Sequence, residues 1–297
     1  MTHIVFTMQG AQDLAEKIAD NLGLPLGHIK AHSFPDGESL FRILDPVVGE
    51  NVYLVARLDG PDSKTLPLLL LAEGFRQQGA TSITLIAPYL PYMRQDTAFS
   101  DGEVISASAF AKLISASFDQ LITVDPHLHR YKSLDELYSI PTHNVSAAAP
   151  LADWISARTE APVIIGPDIE SRQWISKVAD RLSAPFHTLR KIRSGDRDVE
   201  IVVPDLKLET RQTIVLVDDI ISSGATMLQT IAALRASHPS LEIICCAAHC
   251  LKTPKSLDEF SKAGVNIIAA TTSVRSPIST IGIANQISQT IDCSNTA

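Results

Sequence analysis

Cysteine, positive charge and long apolar runs are all scarce in this chain, and each scarcity removes a class of protein. Of four cysteines in 297 residues, three cluster at Cys245, Cys246 and Cys250, in and just after the apolar run Leu241–Ala248. That run reads as a buried strand, whose period of two sends Cys246 and His249 to opposite faces. Core thiols are therefore expected there, and zinc is not. A formal net charge of −8 without any basic run argues against nucleic acid or an anionic membrane as the main partner. Any phosphate site must then be local. Leu66–Ala72 is far too short to span a bilayer, and Met1–Met8 lacks the basic start of a secretory leader, so a cytoplasmic protein with no membrane partner is expected.

The most informative stretch is Thr213–Met227, Thr-Ile-Val-Leu-Val-Asp-Asp-Ile-Ile-Ser-Ser-Gly-Ala-Thr-Met. An apolar β-branched run predicts a buried strand, adjacent carboxylates are expected to end it, and small residues open a helix. The loop Ser222-Ser223-Gly224-Ala225-Thr226 offers hydroxyls, backbone N–H groups and a positive helix end to an anion. Asp218 and Asp219 would repel a phosphate but can accept hydrogen bonds from the vicinal hydroxyls of a ribose. Together they point to a pentose phosphate. Read singly, an acidic pair merely ends a strand and Ser or Thr caps a helix.

The chain also repeats itself at an offset of about 160 residues. Lys17–Pro25 matches Lys177–Pro185, each following an apolar strand, Ile4–Phe6 or Val163–Ile165. Asn51–Ala56, Thr65–Arg76 and Ile83–Ala87 match Thr213–Val217, Thr226–Arg235 and Ile244–Ala248. Alternating strands and helices imply parallel sheets covered on both faces, hence two tandem doubly wound α/β domains related by internal duplication. The boundary is placed near Val145–Ala149, giving domains 1–146 and 147–297, with the last helix able to pack back on the first. Asp218-Asp219 aligns with Arg57-Leu58 and the loop with Gly60–Lys64, so only the second half keeps the sugar-phosphate chemistry. A hairpin is duplicated too: Lys30–Asp45 carries Asp36 and Glu38, whereas Arg190–Asp205 carries Arg190, Lys191 and Arg193.

Taken in order, Phe34–Glu38, Arg94-Gln95-Asp96, Val124–His127, Gly166-Pro167-Asp168, Lys191-Ile192-Arg193 and Asp218–Thr226 resemble the ribose-phosphate pyrophosphokinase (PRPP synthetase) family along nearly the whole chain. The resemblance implies phosphoribosyltransferase-like domains and transfer of the β,γ-diphosphoryl group of Mg-ATP to the 1-hydroxyl of ribose 5-phosphate, releasing AMP. By the same resemblance Lys191 and Arg193 are catalytic, stabilising the charge that spreads over the transferring group, and the turn after them closes as a lid. Asp218, Asp219, Ser222, Ser223, Gly224, Ala225 and Thr226 hold ribose 5-phosphate. His127 and Asp168 line the site of Mg²⁺, with Asp168 the better ligand because Mg²⁺ prefers oxygen. Asp36, Gly37, Glu38, Arg94, Gln95 and Asp96 bind ATP. In the family the Asp36 hairpin comes from a neighbouring subunit, which implies a homo-oligomer, dimer or hexamer.

Some positions depart from that pattern. Thr97-Ala98-Phe99 follows Asp96 where many relatives have basic residues, Ser222 stands for Asp, and Ala225 for Gly. Gly102–Ser106 resembles a branch known mainly from archaea. Three other readings remain beside the synthetase: a non-catalytic regulatory paralogue, a phosphoribosyltransferase that consumes PRPP, and a diphosphokinase of altered sugar or nucleotide. Intact Lys191 and Arg193 speak against the first, and no base-binding hood is evident for the second.

Overall fold

The structure is a computed structural model describing residues 2–193, 199–204, 206, 208–209, 212–251 and 254–295, with the side chains of 191–193, 199–200, 254–256 and 292–295 outside that description. Two compact units emerge: Met1–Val145 with Ala284–Ala297, and Ser146–Ile283. No helix among the described residues is long and apolar enough to cross a membrane.

The first unit runs β1 (His3–Thr7), α1 (Gln12–Leu22), β2 (Ile29–Ser33), β3 (Ser39–Ile43), β4 (Asn51–Val55), α2 (Pro61–Gln77), β5 (Ser82–Ile86), α3 (Ser106–Ser117), β6 (Gln120–Val124) and β7 (Thr142–Val145). Five strands form a sheet in the order β1-β4-β5-β6-β7, parallel throughout. Parallel strands are covered on both faces, which is why Val52–Val55 and Ile83–Ile86 are apolar and mostly buried rather than alternating. Phe6, Leu54, Leu68, Phe75 and Phe110 join one core between sheet and helices. The hairpin β2–β3 stands apart as an antiparallel pair.

The second unit runs α4 (Ala148–Ser156), β8 (Pro162–Gly166), α5 (Arg172–Leu182), β9 (Phe186–Thr188), β10 (Arg190–Arg193), β11 (Val199–Val202), β12 (Thr213–Ile221), α6 (Ala225–Ser237), β13 (Glu242–Cys250), α7 (Pro254–Lys262), β14 (Ile267–Thr271) and β15 (Ser279–Ile281). Its sheet is ordered β15-β14-β13-β12-β8-β9, again all parallel. Cys245 and Cys250 lie in its core beside Ile214, Leu216 and Phe260, and Cys246 is fully buried as well. The last helix, α8 (Ala284–Asn295), belongs to the first unit, where Asn21 of α1 donates to Asn285 Oδ1 at 2.9 Å and Ser288 Oγ at 3.3 Å.

The duplication reaches the helix caps. α1 ends on Gly23 (φ 62°), whose N–H bonds the carbonyls of Ala19 and Asp20. Its copy α5 ends on Ser183 (φ 49°), whose N–H bonds Ala179 and Asp180. One left-handed cap is thus built twice, once with the residue that suits it and once without. Likewise α2 and α6 both start from a left-handed glycine, Gly60 (φ 66°) and Gly224 (φ 72°), and neither is capped by a side chain.

Strand order fixes where a ligand goes. From β8 the chain moves outward to β9, then returns to add β12 on the other side, so the order reverses between β8 and β12. In the first unit β1 has β4 on one side and Leu26, bridged to Val5, on the other. Such switch points leave a crevice at the carboxyl ends of the strands.

Candidate active site

In the second unit the crevice is lined by Asp168, Asp218 and Asp219. The carboxylates do not end β12 as the sequence pattern suggested; the strand continues through them to Ile221. Its pairing with β8 stops at Leu216↔Ile165, while pairing with β13 continues to Ile221↔Cys250. Among the described residues one edge of β12 therefore has no strand partner at Asp218 and Asp219. Asp218 is partly exposed and Asp219 only 5% exposed, and their side chains lie close enough to interact. Asp218 Oδ1 accepts the Asp219 N–H at 3.0 Å, and Asp219 Oδ1 accepts the Ile220 N–H at 2.8 Å.

Asp168 follows β8, where Ser171 fixes the turn by donating its hydroxyl to the Asp168 carbonyl at 2.6 Å and its N–H to Oδ1 at 3.2 Å. Gly166 is required for this, because a Cβ there would overlap the Ser171 hydroxyl. Burial, then the negative charges of Asp219 and Asp168, push the Asp218 carboxyl well above the ordinary carboxylate range. That crowding is the opposite of what a structural ion pair gives. It fits a site completed by hydroxyl donors and a cation.

The loop then turns into α6. Gly224 adopts its left-handed conformation, the Ala225 N–H is met by Ser223 Oγ at 3.3 Å, and α6 begins at Ala225. Ala225 is thus a helical residue, so the missing glycine costs nothing in backbone strain. Gly224, at the N-cap position, contributes no side-chain bond, and the positive end of α6 lies at this loop, where an anion is favoured.

Among the described residues no group of three or more His, Cys, Asp or Glu side chains is disposed to enclose a metal ion. Mg²⁺ does not need such a cage, since it keeps several waters and takes one or two carboxylates plus substrate phosphates. Carboxylate oxygens such as those of Asp168 and Asp218 are ligands of the kind such an ion takes.

Residues 190–193 and 199–202 form the hairpin β10–β11, with Lys191 opposite Ile201 and Arg193 opposite Val199. The side chains of Lys191 and Arg193 and the expected lid at 194–198 lie outside the described residues.

In the first unit the expected nucleotide residues occupy two places. Asp36, Gly37 and Glu38 form the exposed tip of β2–β3, where Gly37 (φ 92°) makes the turn and Asp36 Oδ1 accepts the Glu38 N–H at 3.2 Å. Arg94 and Gln95 are exposed on the loop after β5, whereas Asp96 is buried, its side chain 3% exposed and paired with Arg130 at 2.8 Å. Tyr92 anchors this loop in a left-handed conformation (φ 63°): its hydroxyl donates to Asp62 of α2, and its ring packs on Phe110 at 5.1 Å. That hydrogen bond to the Asp62 carboxylate is the largest cause pushing the phenol up to about 12. His127 is half-buried on the loop after β6, 6.3 Å from the ring of His129. Asp125, just before it, is buried with φ 31°, a strained conformation for a residue preceding proline, and turns the chain out of the sheet toward His127.

Sequence reading did not single out Tyr92, Asp62 or Arg130. Their partners lie 30 and 34 positions away, and only the adjacency of β5 and β6 brings Asp96 and Arg130 together.

Two parallel switch-point units, one with a carboxylate pair preceding a glycine-started helix, define a phosphoribosyltransferase-type protein. Residues 133–274 match the phosphoribosyl transferase domain, and residues 3–117 match the N-terminal domain of ribose phosphate pyrophosphokinase. A ribose-phosphate pyrophosphokinase of Methanopyrus kandleri is 32% identical over 97% of this chain and 98% of its own. One from Methanothermobacter thermautotrophicus is 32% identical over 95% and 97%. The chain belongs to the ribose-phosphate pyrophosphokinase family. The same fold is seen in the crystal structure of phosphoribosylpyrophosphate synthetase from Mycobacterium smegmatis, with a TM-score of 0.86 at 23% identity over 100% of this chain and 99% of that one.

Proposed function

We propose that this chain is a ribose-phosphate diphosphokinase: the 1-hydroxyl of ribose 5-phosphate attacks the β-phosphorus of ATP, the bond from Pβ to the α–β bridging oxygen breaks, and 5-phosphoribosyl 1-diphosphate and AMP form. The observation that carries it is the crowd of carboxylates at the open edge of β12 beside the uncapped start of α6. Asp218 and Asp219 accept the ribose 2- and 3-hydroxyls, and residues Ser222–Thr226 take the 5-phosphate. Lys191 and Arg193, from β10, stabilise the charge that spreads over the transferring group. The sugar hydroxyl's proton leaves to solvent.

Asp168 and, through water or phosphate, His127 are the residues we assign to Mg²⁺, which when bound neutralises triphosphate charge and fixes its geometry. Arg94 and Gln95 hold the nucleotide; Asp96 stands behind them. Asp36, Gly37 and Glu38 read the adenine amino group from a neighbouring chain, so a homo-oligomer is the working form. The exposure of Phe34 at 40% and Leu40 at 51% on this hairpin supports that reading, since it leaves apolar side chains for a partner to cover.

Incubation with ATP, Mg²⁺ and ribose 5-phosphate, followed by chromatography, is expected to yield AMP and the 1-diphosphate in equal amounts. Absence of AMP with every nucleotide donor refutes the reading and favours a regulatory paralogue. Dilution to monomers is expected to abolish turnover, and full activity in a monomer would refute the shared site.

A further inference from the structure

Asp96 is a carboxylate buried to 3% side-chain exposure, although Arg94, Gln95 and Phe99 close to it in the chain are exposed. One oxygen accepts Arg130 Nη1 at 2.8 Å, and the other is buried with no hydrogen-bond partner. Arg130 in turn keeps 43% of its side chain exposed. Its guanidinium lies 5.5 Å from the ring centre of Phe99, itself 67% exposed, while Nη1 alone is engaged, by Asp96 and at 3.5 Å by His129 Nδ1. The Phe99 N–H is pinned by Glu103 at 2.7 Å, a bond that holds the Glu103 carboxyl below its usual range.

A dry carboxylate behind a wet guanidinium is a poor device for stability. Burying the acid is costly unless it is fully paired, and here half of it is not. It is a good device for orientation. Arginine presents five N–H donors in a rigid fork; one side of the fork is held by Asp96, and Nε and Nη2 carry no hydrogen bond among the described residues. The fork emerges beyond β6, next to the loop after β5 that carries Arg94 and Gln95, at the carboxyl ends of adjacent parallel strands. Thr97-Ala98-Phe99 supplies no cation there, and Arg130 brings one from 34 positions on.

We propose that Arg130 is a phosphate-binding residue of the nucleotide site, with Asp96 its positioning residue. The proposal rests on the assignment of Arg94 and Gln95 to the nucleotide. It gives Asp96 a supporting role behind the ligand and makes Arg130 the group that distinguishes a triphosphate from a monophosphate.

Calorimetric titration of the full chain with MgATP and, separately, AMP tests it. Arg130→Gln is expected to weaken ATP by about tenfold, AMP and ribose 5-phosphate by less than about twofold, as for loss of a charge-assisted bond to the outer phosphates. Asp96→Asn combined with Arg130→Gln removes the buried charge together with its partner; the ATP loss should persist in it at an unchanged melting temperature. Restored ATP affinity in the double variant would make Arg130 only a support for Asp96 and overturn the proposal, as would Arg130→Gln that leaves ATP unaffected. Arg94→Gln separates the two levels. If it leaves ATP binding intact, the nucleotide assignment itself falls; if it weakens ATP while Arg130→Gln does not, only the present inference falls.

Discussion

Arg57 Nη1 and Asp13 Oδ1 meet at 2.6 Å, with Nη2 to Oδ2 at 3.0 Å, at the position of the first unit that corresponds to Asp218 in the second. The guanidinium is almost fully buried, and its Nη1 also donates to the Gly10 carbonyl at 2.8 Å. A buried guanidinium therefore stands where the second unit has a carboxylate, and it ties α1 to the segment after β4. Arg57→Ala should destabilise the protein by about 2–3 kcal/mol, because the bonds lost are charge-assisted and shielded on the arginine side. Asp13, largely exposed, resolvates. Urea unfolding measures the loss, and ribose 5-phosphate affinity should not change; a fall in that affinity would mean that the first unit retains a sugar site.

The paired caps give an internal control. Gly23 and Ser183 hold the same left-handed position with equivalent carbonyl partners, and Ser183 is exposed, so the two caps differ in the serine side chain and the strain it brings to that conformation. Relief of the left-handed strain exceeds the added freedom of the unfolded chain, and Ser183→Gly should stabilise by about 0.5–1 kcal/mol. A destabilised variant would show that the serine side chain earns its place through a contact rather than tolerating strain.

Much of this was legible in the sequence. Period and composition marked the parallel strands, the offset of about 160 residues marked the duplication, and Val215–Met227 marked a strand followed by a glycine turn and a helix start. The length of β12 was not legible: Asp218 and Asp219 look like terminators locally, and only the end of pairing with β8 shows them lying along an open strand edge. The Arg57–Asp13 and Arg130–Asp96 pairs were hidden for a similar reason. Each joins residues whose local neighbours say nothing of the partner, and strand order alone brings them together.

Lys191 is assigned to the transition state rather than to ground-state binding. Lys191→Ala should lower kcat by about 10² to 10³ with little change in the KM for ribose 5-phosphate. Steady-state kinetics with each substrate varied in turn decides this; an equal loss in sugar binding would place the lysine on the ground-state ligand instead.

The central claim is that the open edge of β12 reads the sugar and that its degenerate copy does not. Titration calorimetry with ribose 5-phosphate measures this directly: one molecule should bind per chain, and Asp218→Asn with Asp219→Asn should abolish the heat while Arg57→Ala leaves it intact. Two molecules per chain, or unaltered binding in the Asp218→Asn, Asp219→Asn protein, would contradict the account.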